Sequence, residues 1–161
     1  GWRDSRPNPI SVRSEEPTML QPLALANGLA SLKATRLSDD HQLTEMAIEA
    51  ESVEALVRDV YRHLLTREPS AAESAAFVEL LAPGFEERVV EGAVKRPRRR
   101  LRNPVSWSNH LNHRATTIKL ELERQVRLGD PPTERLTADW RERLEDAIWA
   151  LINSPEFVFV P

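Results

Sequence analysis

The chain has no cysteine. That excludes disulfides, thiolate zinc sites, iron–sulfur ligation and the Cys-x-x-Cys-His attachment of a c-type haem. Glycine is scarce, with five in 161 residues. No glycine-rich phosphate loop, Gly-x-Ser-x-Gly elbow or His-Glu-x-x-His pair occurs, which disfavours the common kinase, hydrolase and zinc-protease chemistries while leaving open a site assembled from scattered residues. A large excess of one charge is also missing. The 22 basic and 25 acidic side chains give a net charge of -3, so no global field draws nucleic acid or an anionic membrane to the chain. Long apolar runs are absent too. The longest, Leu20 to Leu32, is interrupted by Gln21, Pro22 and Asn27 and falls short of the roughly 18 residues a membrane span needs. The opening Gly1-Trp2-Arg3-Asp4 lacks both the methionine start and the charged-then-apolar pattern of a signal peptide, so the chain reads as a piece of a longer protein.

What is present is helical periodicity. Pro7, Pro9 and Pro17 among polar residues make residues 1–17 an extended strap, and residues 18–161 form one helical domain. Thr18 caps an expected helix reaching about Arg36, whose Leu20, Leu23, Leu25, Leu29 and Leu32 spread over more than one face and require cover on several sides. A short helix is expected from His41 to Ala50, and Ser52 is placed to cap the next. In that next helix Val53, Leu56, Val57, Val60, Tyr61, Leu64 and Leu65 follow the i, i+3, i+4, i+7 spacing, Glu54 and Arg58 form an i, i+4 pair, and Pro69 supplies the stop. Ser70-Ala-Ala-Glu73 reads as a capping box opening a helix that runs to the break at Pro83-Gly84.

Residues Phe85 to Val94 are expected to form a further short helix, followed by a basic, mobile loop at about 95–106. Leu111, Ala115, Ile118, Leu122 and Val126 mark a long amphipathic helix ended by Gly129. Thr137 can cap a last helix on which Trp140, Leu144, Ala147, Ile148 and Leu151 share one stripe, with Arg141, Glu142, Arg143 and Glu145 off it. Trp149 falls on the opposite side, where it either serves an interface or is covered by the apolar tail Phe157 to Val160 folding back. The expected fold is therefore all-α: an irregular bundle of about six to seven helices with an extended N-terminal strap and a short apolar C-terminal tail.

Few residues stand out as sites. Lys95, Arg96, Arg98, Arg99, Arg100 and Arg102 put six cations in eight residues. Such a run either grips phosphate or sulfate groups through counterion release or is a solvated, proline-interrupted loop. Trp107 is the one aromatic nearby, and single-strand binding normally uses several, so nucleic acid is not the expected partner. His110 and His113 sit three apart, but nothing supplies a third ligand, and no metal or cofactor is expected. His41 and His63 have no chemical neighbours of note. Asp39-Asp40 and Glu15-Glu16 need no role beyond complementing a helix dipole. No catalytic residue is assigned.

Four segments carry a family likeness: Glu16-Pro-Thr-Met-Leu-Gln-Pro-Leu-Ala-Leu-Ala-Asn27-Gly, Leu65-Thr-Arg-Glu-Pro69, Trp107-Ser-Asn-His-Leu111 and Glu145-Asp-Ala-Ile-Trp-Ala-Leu-Ile-Asn-Ser-Pro-Glu-Phe157. From about Arg13 onward the chain resembles the C-terminal domain of large planctomycete-type exported proteins, the domain of unknown function numbered fifteen fifty-three. The resemblance implies an upstream companion domain in the same polypeptide, often with a planctomycete cytochrome c or carbohydrate-binding-like domain further upstream, and a periplasmic or cell-surface location. It brings no catalytic residues. Three functions follow as expectations. The first is a non-catalytic structural or interaction module closing a larger exported protein, with a possible protein partner. The second is a share in a composite enzyme site acting on polysaccharide, with Arg3, Arg6, Arg13 and His110 as its residues. The third is polyanion binding through Lys95 to Arg102.

Overall fold

In a computed structural model of the chain, residues 28–97 and 105–158 are described. They contain seven helices: α1 Leu29–Thr35, α2 Gln42–Glu49, α3 Val53–Leu65, α4 Ala71–Leu81, α5 Ala115–Leu128, α6 Ala138–Ile152 and α7 Pro155–Val158. Extended pairing among the described residues is limited to two isolated antiparallel bridges, Ser38 with Pro132 and Val89 with Leu136. The all-α irregular bundle is thus observed. The strap at 1–17, residues 18–27 of the expected first helix, the cations Arg98, Arg99, Arg100 and Arg102, and Phe159 and Val160 of the tail lie outside the described residues.

α3 sits at the centre because its stripe is unbroken. Val53, Leu56, Val57, Val60 and Tyr61 are all buried, and the Ser52 hydroxyl accepts from the Ala55 amide at 3.1 Å, satisfying a donor the first turn leaves orphaned. The helix ends before Pro69. Thr66 turns into the left-handed region, at φ 58, and closes the last turn at Leu65. Arg58 pairs with Asp59 at 3.7 Å, where the sequence suggested Glu54.

α4 begins with the full capping box: Ser70 Oγ accepts from the Glu73 amide, and Glu73 Oε2 accepts from the Ser70 amide at 2.7 Å. Phe77 then meets Tyr61 edge-on, centroids 5.3 Å apart. α6 closes the core with Trp140, Leu144, Ala147, Ile148, Leu151 and Ile152, all buried. Burial of each large side chain contributes about 2 kcal/mol. The Trp140 indole also donates to the Leu81 carbonyl at 2.9 Å, so one residue fills the core and satisfies the end of α4. Thr137 occupies the N-cap position of α6, although its side chain makes no capping bond. Beyond α6, Phe157 and Val158 of the expected apolar tail lie in α7, and Phe157 packs half-buried on the core.

The expected helix from Phe85 to Val94 does not form. The Phe85 and Arg88 amides make short turns back to Ala82 and Phe85, and Gly92 takes φ 78. The Val90 amide crosses to the Arg135 carbonyl at 2.9 Å, while the Thr137 amide donates to the Arg88 carbonyl at 2.8 Å. These turns carry the Arg88 side chain into the core, where it is 6% exposed and donates to the Ala47 and Ala50 carbonyls, partners that lie about forty residues away and that no local pattern encodes.

α1 and α5 are less enclosed. α1 leaves Leu29 and Leu32 largely exposed. On α5, Ala115 is buried and Ile118 and Leu122 are half-buried, while Leu120, Val126 and Leu128 are open to solvent. Leu111, expected within this helix, lies in the turns before it and is exposed.

Candidate functional site

Three polar clusters, centred on the α1–α2 linker, on Arg88 and on Arg67, join elements of the described residues, and a groove lies beside the first.

The clasp is built on residues 36–41. The Leu37 amide donates to Glu145 Oε1 at 2.8 Å, the Thr133 amide donates to the Leu37 carbonyl at 2.7 Å, and the Thr44 hydroxyl donates to the Ser38 carbonyl at 2.7 Å. Asp39, read from sequence as a dipole partner only, is buried. Its carboxylate accepts from the Thr133 hydroxyl, from the Arg96 amide at 3.2 Å and from Arg135 Nε at 3.3 Å. Burial pushes the Asp39 carboxyl up, but those three donors together hold it below its ordinary value. Arg135 reaches on to Glu45 with two bonds of 2.9 Å, and Lys95 reaches the same carboxylate at 3.0 Å. These two cations hold the Glu45 carboxyl at about 2.

Lys95 and Arg96 of the basic run therefore face acids. Lys95 lies 3.0 Å from Glu45 and 3.5 Å from Asp40, and Arg96 lies 2.8 Å from Glu134 and 3.8 Å from Asp39. The run starts as part of an acid–base clasp that fixes residues 95 and 96 against α2 and the 130–137 segment. A carboxylate paired at this distance competes with any phosphate or sulfate for the same cation. Glu145, off the apolar stripe of α6 in the sequence, is half-buried here. Burial raises its pKa, against the Leu37 amide and the nearby Arg141 and Arg36. Arg141 Nε lies 3.6 Å from Glu145 Oε1, is buried and has no hydrogen-bond partner, while Nη1 of the same side chain donates to the Thr133 carbonyl at 2.9 Å.

Arg88 performs a related joining role inside the core. Nε donates to the Ala47 carbonyl at 2.7 Å, Nη2 to those of Ala50 and Ile48 at 2.6 and 3.3 Å, and Nη1 to Phe85 at 2.8 Å. A cation thus satisfies the last carbonyls of α2, where the helix dipole is negative. The guanidinium lies 3.7 Å above the Phe85 ring, and burial lowers its pKa. A third cluster joins Arg67 to Glu73 of α4 and Glu156 of α7 through four bonds of 2.6 to 3.0 Å, holding the Glu73 carboxyl at about 2.

The groove runs between α1 and α5, with a volume of about 690 Å³, and is lined among others by Leu32, Arg36, His41, Leu122, Val126 and Leu128. Arg36 Nη1 spans it to the Leu128 carbonyl at 2.6 Å. His41 stands at its edge as the N-cap of α2, where Nδ1 accepts from the Leu43 amide at 3.3 Å. No neighbour for His41 or His63 was legible in the sequence; the structure gives His41 a capping role and brings the two within electrostatic reach.

His110 and His113 sit in turns ahead of α5, not on a common helix face. His110 stacks on Trp107, centroids 4.8 Å apart, and its Nδ1 bonds the Trp107 carbonyl. No group of three or more His, Asp or Glu side chains suited to a metal occurs among the described residues. Arg3, Arg6 and Arg13 lie outside them. Trp149 is 45% exposed. No helix among the described residues is long and apolar enough to cross a membrane.

Comparison with protein-family models, with curated proteins and with solved structures finds no match for this chain.

Proposed function

We propose that this chain is a non-catalytic structural or interaction module that closes a larger exported protein, in the periplasm or at the cell surface, with the α1/α5 face receiving the upstream companion domain. One observation carries the reading. The Arg88, Arg135 and Arg67 clusters join elements of the chain to one another, while α1 and α5 leave Leu29, Leu32, Leu120, Val126 and Leu128 exposed, and Leu32, Val126 and Leu128 line one groove with the half-buried Leu122. Interfaces place their affinity in such apolar centres with polar rims.

The test uses the full-length protein and its two separately expressed parts. Val126→Asp is expected to weaken association of this chain with the upstream part at least tenfold, with thermal stability of the chain unchanged, because a carboxylate would be desolvated at the contact. Equal affinity for variant and wild type overturns the reading, as does micromolar binding of a metal ion or a sulfated sugar by this chain in calorimetry.

A further inference from the structure

We infer that His41 is an acid-sensitive latch between α1 and α2, whose protonation loosens the first turn of α2 and the adjoining wall of the groove. Ordinary N-caps are Ser, Thr, Asp or Asn, whose oxygens still accept hydrogen bonds at mildly acidic pH. Here the acceptor is an imidazole nitrogen, Nδ1, held at 3.3 Å from the Leu43 amide by extended backbone at φ -80 and ψ 131. A ring whose Nδ1 accepts is the neutral tautomer with its proton on Nε2. A second proton places an N–H on Nδ1 opposite the Leu43 N–H, and a positive charge at the positive end of the helix dipole.

The surroundings set the direction of the titration. Burial and the like charge of His63, from α3, both favour the neutral ring, and the Ala34 carbonyl opposes them, so the pKa lies below 6.5. The other charged groups lining the groove are Lys33 of α1 and Arg36 just after it, Asp40 beside His41, Glu121 and Arg124 of α5, and Asp130 after it. Asp40 lies 3.5 Å from Lys95, and Glu121 bonds Arg124 at 3.2 Å, so neither acid is committed to the imidazole. A lowered folded-state pKa means that the cap stabilises fully above the ordinary value of 6.5 and is lost as pH falls from there through the lower folded-state pKa. Because Glu145, Thr44 and Thr133 grip the linker ahead of His41, the loosening is felt first in the α2 turn that the ring caps.

Amide hydrogen exchange of the whole chain, followed by NMR from pH 7.5 to 5.0 and corrected for intrinsic rates, tests this directly. Protection of Leu43 and Thr44 is expected to fall about fivefold, the effect of losing one cap. His41→Asn keeps a side-chain acceptor that does not titrate and should abolish the fall. His63→Gln removes the like charge and should shift the midpoint upward. A flat wild-type profile overturns the inference, and so does the same fall in His41→Asn. If His41→Asn does not fold, the ring signals of His41 in the wild type decide: their midpoint must coincide with that of Leu43 protection, and a mismatch overturns the latch.

Discussion

In the body formed by α2, α3, α4 and α6, cations reach across the chain: Arg88 to the carbonyls of α2, Arg135 to Glu45, Arg67 to α4 and α7. On α5 they stay at home. Arg124 pairs with Glu121 at 3.2 Å, Arg127 with Glu123 at 2.6 Å, and Gln125 donates to Glu121 at 2.8 Å, all within one or two turns. The apolar side chains divide the same way, with Leu56, Leu144 and Ile148 almost wholly enclosed and Leu120, Val126 and Leu128 more than half exposed. A helix can satisfy its own backbone and charges; it cannot cover its own apolar face. The body gains its stability from non-local contacts. α5 is held mainly by local ones and has surface left to offer.

Substitutions of decreasing severity sharpen this contrast. Trp140→Ala removes the largest enclosed side chain and orphans the Leu81 carbonyl, and is expected to cost about 4 kcal/mol in denaturant unfolding. Arg88→Met keeps much of the volume but leaves the Ala47 and Ala50 carbonyls without their donor; about 2–3 kcal/mol is expected by the same measurement. For Glu45 the sign follows from its depressed pKa. Its ion pairs stabilise fully above about 4.5 and are lost as pH falls toward about 2. Glu45→Gln should lower stability at pH 7 by about 1 kcal/mol after solvent screening and flatten the acid limb of the stability curve between those two values. Leu128→Ser on α5 should change stability by less than about 0.5 kcal/mol. A loss above 2 kcal/mol there would show that α5 belongs to the body after all.

The sequence was most readable where the physics is local. The stripe of α3, the box at Ser70 and Glu73, and the core face of α6 each depend on residues three or four apart, and each is found in place. It was least readable where distant residues meet. Glu145 takes the Leu37 amide across 108 positions, Asp39 takes the Thr133 hydroxyl across 94, and Arg88 reaches Ala47 across 41. No periodicity encodes such partners, so Asp39 looked like a helix-end acid and residues 85–94 like a helix. One signal was available: Val89 and Val90, β-branched and separated from Gly92 by Glu91 alone, fit bridge and turn better than a short helix. His41 carried no such sign, because histidine is seldom the residue that caps.

The placement of α6 has a consequence for how the molecule comes to be. α2, α3 and α4 follow one another and can meet as soon as they emerge from the ribosome, but the indole and aliphatic side chains that seal them arrive some sixty residues later, after α5 has been made. Until then Leu56, Tyr61 and Leu81 wait with one side uncovered, a window in which a nascent chain is open to misassembly or to a chaperone. Synthesis speed across 82–137 therefore sets how long that window lasts.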